Sequence, residues 1–254
     1  MLYSFYTAEG IVYAADSRIT HRGAHAPLAA QTKVLPIPGL GESSGVIGYF
    51  GLAQVAGEPM DEWLRDVIAK YPAARDADSF ARYLVVRVEG EATPAELAEV
   101  SGFHLGTFEQ RDGHVVPTFT FIRNAHDFDN GSYSNVGRFI MEEQLLGRDL
   151  HRQAIPMAKV RDVLRAHELT NGTPYWYRNG DVTNFGPIAF LLETALRGLV
   201  AQKGSGFRAP TTLDGWRRLA RTLIASTGNL YGVYYAGAAA PVGGGVVVEA
   251  IPWP

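Results

Sequence analysis

A chain of 254 residues, 46% hydrophobic, with a formal net charge of −3 and no cysteine, is long enough to bury a substantial core. The near-neutral balance excludes a nucleic-acid-coating protein, and the lack of Cys excludes disulfides, thiolate metal sites and a cysteine nucleophile. No basic leader with an apolar centre opens the chain and no apolar stretch reaches membrane-helix length. A cytoplasmic protein without membrane or nucleic-acid partners is therefore expected.

Aromatic and β-branched residues over Leu2–Thr7, a turn at Ala8-Glu9-Gly10 and an apolar run from Ile11 predict a β-hairpin. Its second strand ends in Asp16, Ser17 and Arg18. Residues 19–31 follow neither period. His21 and His25 fall there with Gly23 between them, which favours a surface loop over a metal pair. Thr32–Ile37 resumes a strand that contains Lys33, one of four lysines in a chain whose other basic residues are all Arg. After a turn cluster at 38–44, Gly45–Gly51 reads as a buried, glycine-rich strand that something approaches closely.

Helical spacing begins at Glu58 with Met60, Trp63, Leu64 and Val67, and a second helix is predicted over Ala77–Val88. Ala92–Glu96 has helix-start chemistry in a short segment. Gly102–Phe108 and Val115–Ile122 predict a hairpin around Asp112-Gly113. Asp127–Gly131 is read as a turn, because a calcium loop would need a differently placed glycine and a closing Glu. The spacing predicts helices at about Val136–Leu146, Met157–Leu169, Pro187–Ala201 and Leu213–Ser226. Asn171–Asn184 reads as a long ordered loop whose Tyr175-Trp176-Tyr177 run serves packing. Gly243–Gly245 opens the final strand, Val246–Ile251; with no following Lys-Ser/Thr and no helix, it is not a phosphate loop. One domain over residues 1–254, with a loop and helix elaboration around 126–184, is the expected organisation. Its class is α+β, with two antiparallel sheets flanked by helices.

The run Gly10-Ile-Val-Tyr-Ala-Ala-Asp16-Ser17-Arg18, followed by Lys33-Val34, resembles the opening of proteasome β subunits and of their bacterial relatives HslV and Anbu. All are N-terminal-nucleophile hydrolases. Gly48-Tyr49-Phe50-Gly51 and Pro241–Gly245 are similar to two further stretches of that family. The resemblance implies a four-layer αββα sandwich that assembles with itself in rings or stacks, accepts peptide and needs no cofactor. It implies a charged pair of Asp16 and Lys33 beneath the nucleophile, and Arg18 bracing that pair through a carboxylate contact. Ser17 would be a supporting residue, and Gly48 or Gly51 the oxyanion N–H donor.

Counting back from Asp16, the nucleophile position falls on Met1, where the family needs Thr, Ser or Cys. Leu2 is too large for ready methionine removal, so Met1 is expected to stay. Ala238-Ala239-Ala240-Pro241-Val242 also stands where active members carry an Asp and a Ser. Two readings result. One is a proteasome-like protein without threonine peptidase activity that works by homo-oligomeric assembly or binding. The other is an amide-bond hydrolase using a processed terminus, such as Ser4 or Thr7, or an unconventional Ser/Thr nucleophile with Lys33 and Asp16.

Overall fold

A computed structural model describes residues 1–18, 30–71, 76–127, 133–143, 155–179, 182–202, 206–234 and 244–254. The chain divides into two compact units, residues 1–34 with 158–253 and residues 35–157. Each is built on one antiparallel sheet that carries helices, which is the α+β organisation expected.

In the first unit, β1 (Leu2–Thr7) and β2 (Gly10–Asp16) form the predicted hairpin. Thr7 shapes its turn: Oγ1 accepts from Glu9 N and Gly10 N at 3.1 and 3.0 Å and donates to the Gly10 carbonyl. Gly10 is required by a neighbour as well as by the turn. Its φ is +150°, and a Cβ there would lie 2.2 Å from the Ile251 carbonyl oxygen. That carbonyl belongs to β11 (Val246–Pro252), which pairs with β2, while β10 (Tyr175–Asn179) pairs with the other edge of β1. The sheet order is β10-β1-β2-β11.

A run expected to be loop is thus partly a strand. β1 would otherwise leave its outer N–H and C=O groups unpaired, and Tyr175–Asn179 supplies the partners.

Alternation along β1 and β2 sends Tyr3, Phe5, Val12 and Ala14 to one face. They form a core with Trp216, Ala220, Leu223 and Tyr231 of a long helix, here α6 (Leu213–Tyr234), and with Ala189 of α5 (Val182–Ala201). α5 begins five residues before the predicted Pro187, which therefore lies inside it. The preceding α4 (Val160–Asn171), entered through a 3₁₀ turn at Met157–Lys159, stops at Gly172 in the left-handed conformation. Glu168 of α4 accepts the Ala8 N–H at 2.7 Å and so fixes the hairpin turn.

The second unit has the sheet order β3-β4-β7-β8-β9. These strands are β3 (Val34–Pro38), β4 (Ser44–Phe50), β7 (Gly102–Arg111), β8 (His114–Asp127) and β9 (Tyr133–Glu143). A two-stranded ribbon, β5 (Gln54–Val55) with β6 (Glu58–Pro59), precedes α1 (Met60–Lys70). α2 (Ala77–Glu91) starts at the Asp76 cap, and a single turn, α3 (Pro94–Leu97), opens on a Thr93/Glu96 capping box. Trp63, Leu64, Phe80 and Leu84 of α1 and α2 pack on Ile47, Tyr49, Phe103 and Ile122 of the sheet. Each such side chain contributes about 1.5–3 kcal/mol by leaving water.

The helix predicted at Val136–Leu146 is instead β9 as far as Glu143, and residues 144–154 lie outside the described part. Val136, Phe139 and Ile140 have helical spacing. However, the ladder to β8 shifts between Arg123 and Ala125, and such an irregularity hides a strand's period of two. Among the described residues no helix is long and apolar enough to cross a membrane.

Candidate active site

The end of β2 and the start of β1 meet because the hairpin is in register, with Leu2 opposite Ala15. Asp16 is therefore brought beside residue 1, and its N–H donates to the Met1 carbonyl at 3.3 Å. The Asp16 carboxylate is only 1% exposed, yet two cations share its Oδ1. The Met1 ammonium donates at 2.5 Å and Lys33 Nζ at 3.1 Å. Burial alone would push this carboxyl up. The ammonium and then Lys33, acting both as charges and as donors, outweigh burial and hold it below the ordinary carboxylate value.

Lys33 also donates to the Arg18 carbonyl. Arg18 thus joins the network through its backbone, and the same residue bridges to Ala30. This tie carries the chain from β2 back towards Lys33. The Gln31 N–H reinforces it by donating to the Ser17 carbonyl at 2.9 Å.

Ser17 closes the other side. Its N–H donates to the Gly245 carbonyl and its Oγ accepts from Gly245 N, each at 2.8 Å. Gly244 has φ +75°, and a Cβ there would stand 2.6 Å from Ser17 Oγ. Glycine is needed at this point because the Ser17 hydroxyl occupies the space. The Ser17 side chain clasps the last turn, which is the supporting part foreseen for it.

Met1 points its side chain away from any chemistry. It is 6% exposed and belongs to the core of Tyr3, Phe5 and Trp216. The position expected to hold a hydroxyl holds a packed thioether.

Gly48 and Gly51 lie in the second unit. Gly48 stands opposite His104 in the β4–β7 ladder. Gly51 follows β4 with φ +83°, and a Cβ on it would lie 2.1 Å from the Val100 carbonyl oxygen. The close approach predicted for this strand is thus made by backbone at Gly51. The sequence reading passed over His104, a fully buried imidazole whose ring meets Phe50, Phe119 and Phe121 edge-on at 6.0, 5.0 and 5.2 Å. A lone His inside an apolar strand was its only signal. His21, His25 and the 238–243 part of the last turn lie outside the described residues, as does 128–131 of the Asp127–Gly131 segment. Among the described residues no three His, Asp or Glu side chains group to hold a metal ion.

No family model matches this sequence, and no curated protein does. Solved structures do. The chain resembles Anbu and HslV. For Anbu from Hyphomicrobium sp. strain MC1 the identity is 15%, the TM-score 0.48, and the match covers 99% of this chain and 81% of that one. Anbu (ancestral beta-subunit) from Yersinia bercovieri matches at 15% identity over the same shares, with a TM-score of 0.46. Eukaryotic HslV from Trypanosoma brucei matches at 12% identity over 99% of both chains, with a TM-score of 0.42. Similarity at this level concerns the fold, so the chemistry must be argued from the residues themselves.

Proposed function

We propose that this chain is a proteasome-like member of the N-terminal-nucleophile hydrolase fold that lacks threonine peptidase chemistry and acts by assembling with copies of itself. The observation that supports this is the occupant of the nucleophile position. Asp16 and Lys33 keep the charged base of a hydrolase site, but the residue they hold is Met1, which has no hydroxyl and whose side chain is packed in the core. Such a chain can bind a carbonyl compound yet cannot form the acyl-enzyme. The network then serves to anchor β1 against β2 and β11.

The retained Asp16–Lys33 pair also supports the alternative, a hydrolase with a processed terminus or another Ser/Thr nucleophile. Intact mass and a hydroxyl-directed covalent label separate the two. The expected result is a mass beginning at Met1 and no label on either the wild type or Lys33→Ala. A mass beginning at a Ser or Thr, or a label that Lys33→Ala removes, overturns the reading in favour of the hydrolase. Light scattering tests assembly: a multimer is expected at micromolar concentration, and a clean monomer refutes that part.

A further inference from the structure

The charges of this chain are unevenly divided. Residues 1–34 and 158–253 contain thirteen Lys and Arg against eight Asp and Glu, whereas residues 35–157 contain ten against eighteen. Part of each surplus lies on exposed helix faces. On α6, Arg217, Arg218 and Arg221 are all exposed. Asp214 holds Arg218 at 2.9 Å, while Arg217 and Arg221 have no ion-pair partner among the described residues. Beside α6 packs α5, a helix of 20 residues whose only charges are Glu193 and Arg197. It leaves Phe190 64% and Leu191 63% exposed, with Leu199 exposed further along. Large apolar side chains at such exposure, with arginines beside them, mark a surface meant to be covered.

In the other unit, Glu58 and Glu62 stand exposed at the start of α1, without an ion-pair partner among the described residues. The neighbouring α2 exposes Val86 at 69%. This helical layer is acidic and offers an apolar contact of its own.

We infer that a second copy of this chain docks head to tail, the α5–α6 face of one copy against the α1–α2 face of the next. The inference rests on the assembly reading given above and specifies its interface. A two-fold contact through α6 would set Arg217 and Arg221 against their own counterparts, and like charges oppose it. A basic, apolar face is complementary to an acidic one, so the contact joins different surfaces. Repetition of it gives a ring where the rotation closes and a filament where it does not. The area is adequate: two adjacent helices about 30 Å long and about 20 Å wide together present roughly 600 Å², near the about 800 Å² per partner of a stable interface.

The test uses the full chain in sedimentation velocity across a salt series, with two charge-reversed variants. One is Arg217→Glu with Arg221→Glu, the other Glu58→Lys with Glu62→Lys. All four sites are exposed, so melting curves should match the wild type. The wild-type multimer should weaken at least about tenfold as the screening length falls from about 30 Å at 0.01 M salt to about 3 Å at 1 M. Each variant alone should be monomeric, and the two mixed one to one should assemble, because both contacts become complementary again. A wild-type multimer whose variants assemble unchanged overturns this interface and leaves the assembly reading standing. A multimer indifferent to charge but lost in Phe190→Asp points to an apolar two-fold contact and overturns it as well. A monomeric wild type removes both.

Discussion

Replacing Asp16 by Asn keeps the side chain's shape and removes the one anion that two buried cations share. The Met1 ammonium and Lys33 would then face a neutral amide from 2.5 and 3.1 Å, in a site from which water is excluded. Breaking a buried ion pair from one side costs about 3–5 kcal/mol, because the remaining charge loses its partner. At about 2–4 °C per kcal/mol for a chain of this size, Tm should drop by roughly 6–20 °C. Lys33→Met removes only one of the two cations and leaves the Met1 pair intact, so its cost should be smaller, about 1–3 kcal/mol. The double variant should cost less than the sum, since the two side chains act on one another. The pH dependence has a definite sign. The folded carboxyl is held below its ordinary value, so its contribution is complete above the unfolded carboxylate value of about 3.9 and is lost as pH falls through the folded one. Urea unfolding followed by tryptophan fluorescence, repeated from neutral pH into acid, should show a steep acid limb in the wild type that flattens in Asp16→Asn. A cost below about 1 kcal/mol at neutral pH, or an unchanged acid limb, would refute the anchoring role.

Gly244→Ala should cost about 1–3 kcal/mol through its positive φ and the contact with Ser17 Oγ, and Ser17→Ala should relieve part of that cost. Strictly additive denaturation energies would show that the two do not share the space. Glu168→Gln tests the opposite pH sign. Burial pushes this carboxyl up despite the Ala8 N–H and Arg165, so its contribution is complete below about pH 4.3 and is lost as pH rises through the folded value. The Gln variant keeps an acceptor for Ala8 and should lose that decline; a fall of more than about 2 kcal/mol at neutral pH counts against the account. Gly51→Ala should destabilise clearly more than Gly39→Ala. Both glycines have positive φ, but only at Gly51 would the new Cβ meet backbone, 2.1 Å from the Val100 carbonyl, whereas nothing lies within 4 Å at Gly39. Equal melting temperatures would contradict this.

Local pattern was a good guide where one physical term dominated. The hairpin at 2–16 is legible because its alternation is uninterrupted and its turn is two residues long. α1 and α2 are legible because apolar residues recur at helical spacing, with caps and turn residues at their ends. Reading failed where a neighbouring strand decides. Tyr175–Asn179 is too short to announce itself and is a strand because β1 needs a partner, and β9 looks helical because its ladder to β8 is irregular. The candidate site divides in the same way. Asp16, Ser17, Arg18 and Lys33 stood out as a motif, and the charged pair they predict is present. The use of the Arg18 carbonyl in place of a carboxylate contact was not readable, since backbone acceptors carry no residue signature.

The sequence by itself determined the hairpin, the charges at its mouth and the Met at the position where a hydroxyl was due, because all of these are properties of residue type and short-range spacing. Only the tertiary structure decided what those residues do together. It buries Asp16 between the Met1 ammonium and Lys33, and it turns the Met1 side chain into the core. It also brings Gly245 to Ser17 across 228 positions of chain. Contacts of that range depend on sheet order and register, which many distant residues set jointly and no local pattern encodes.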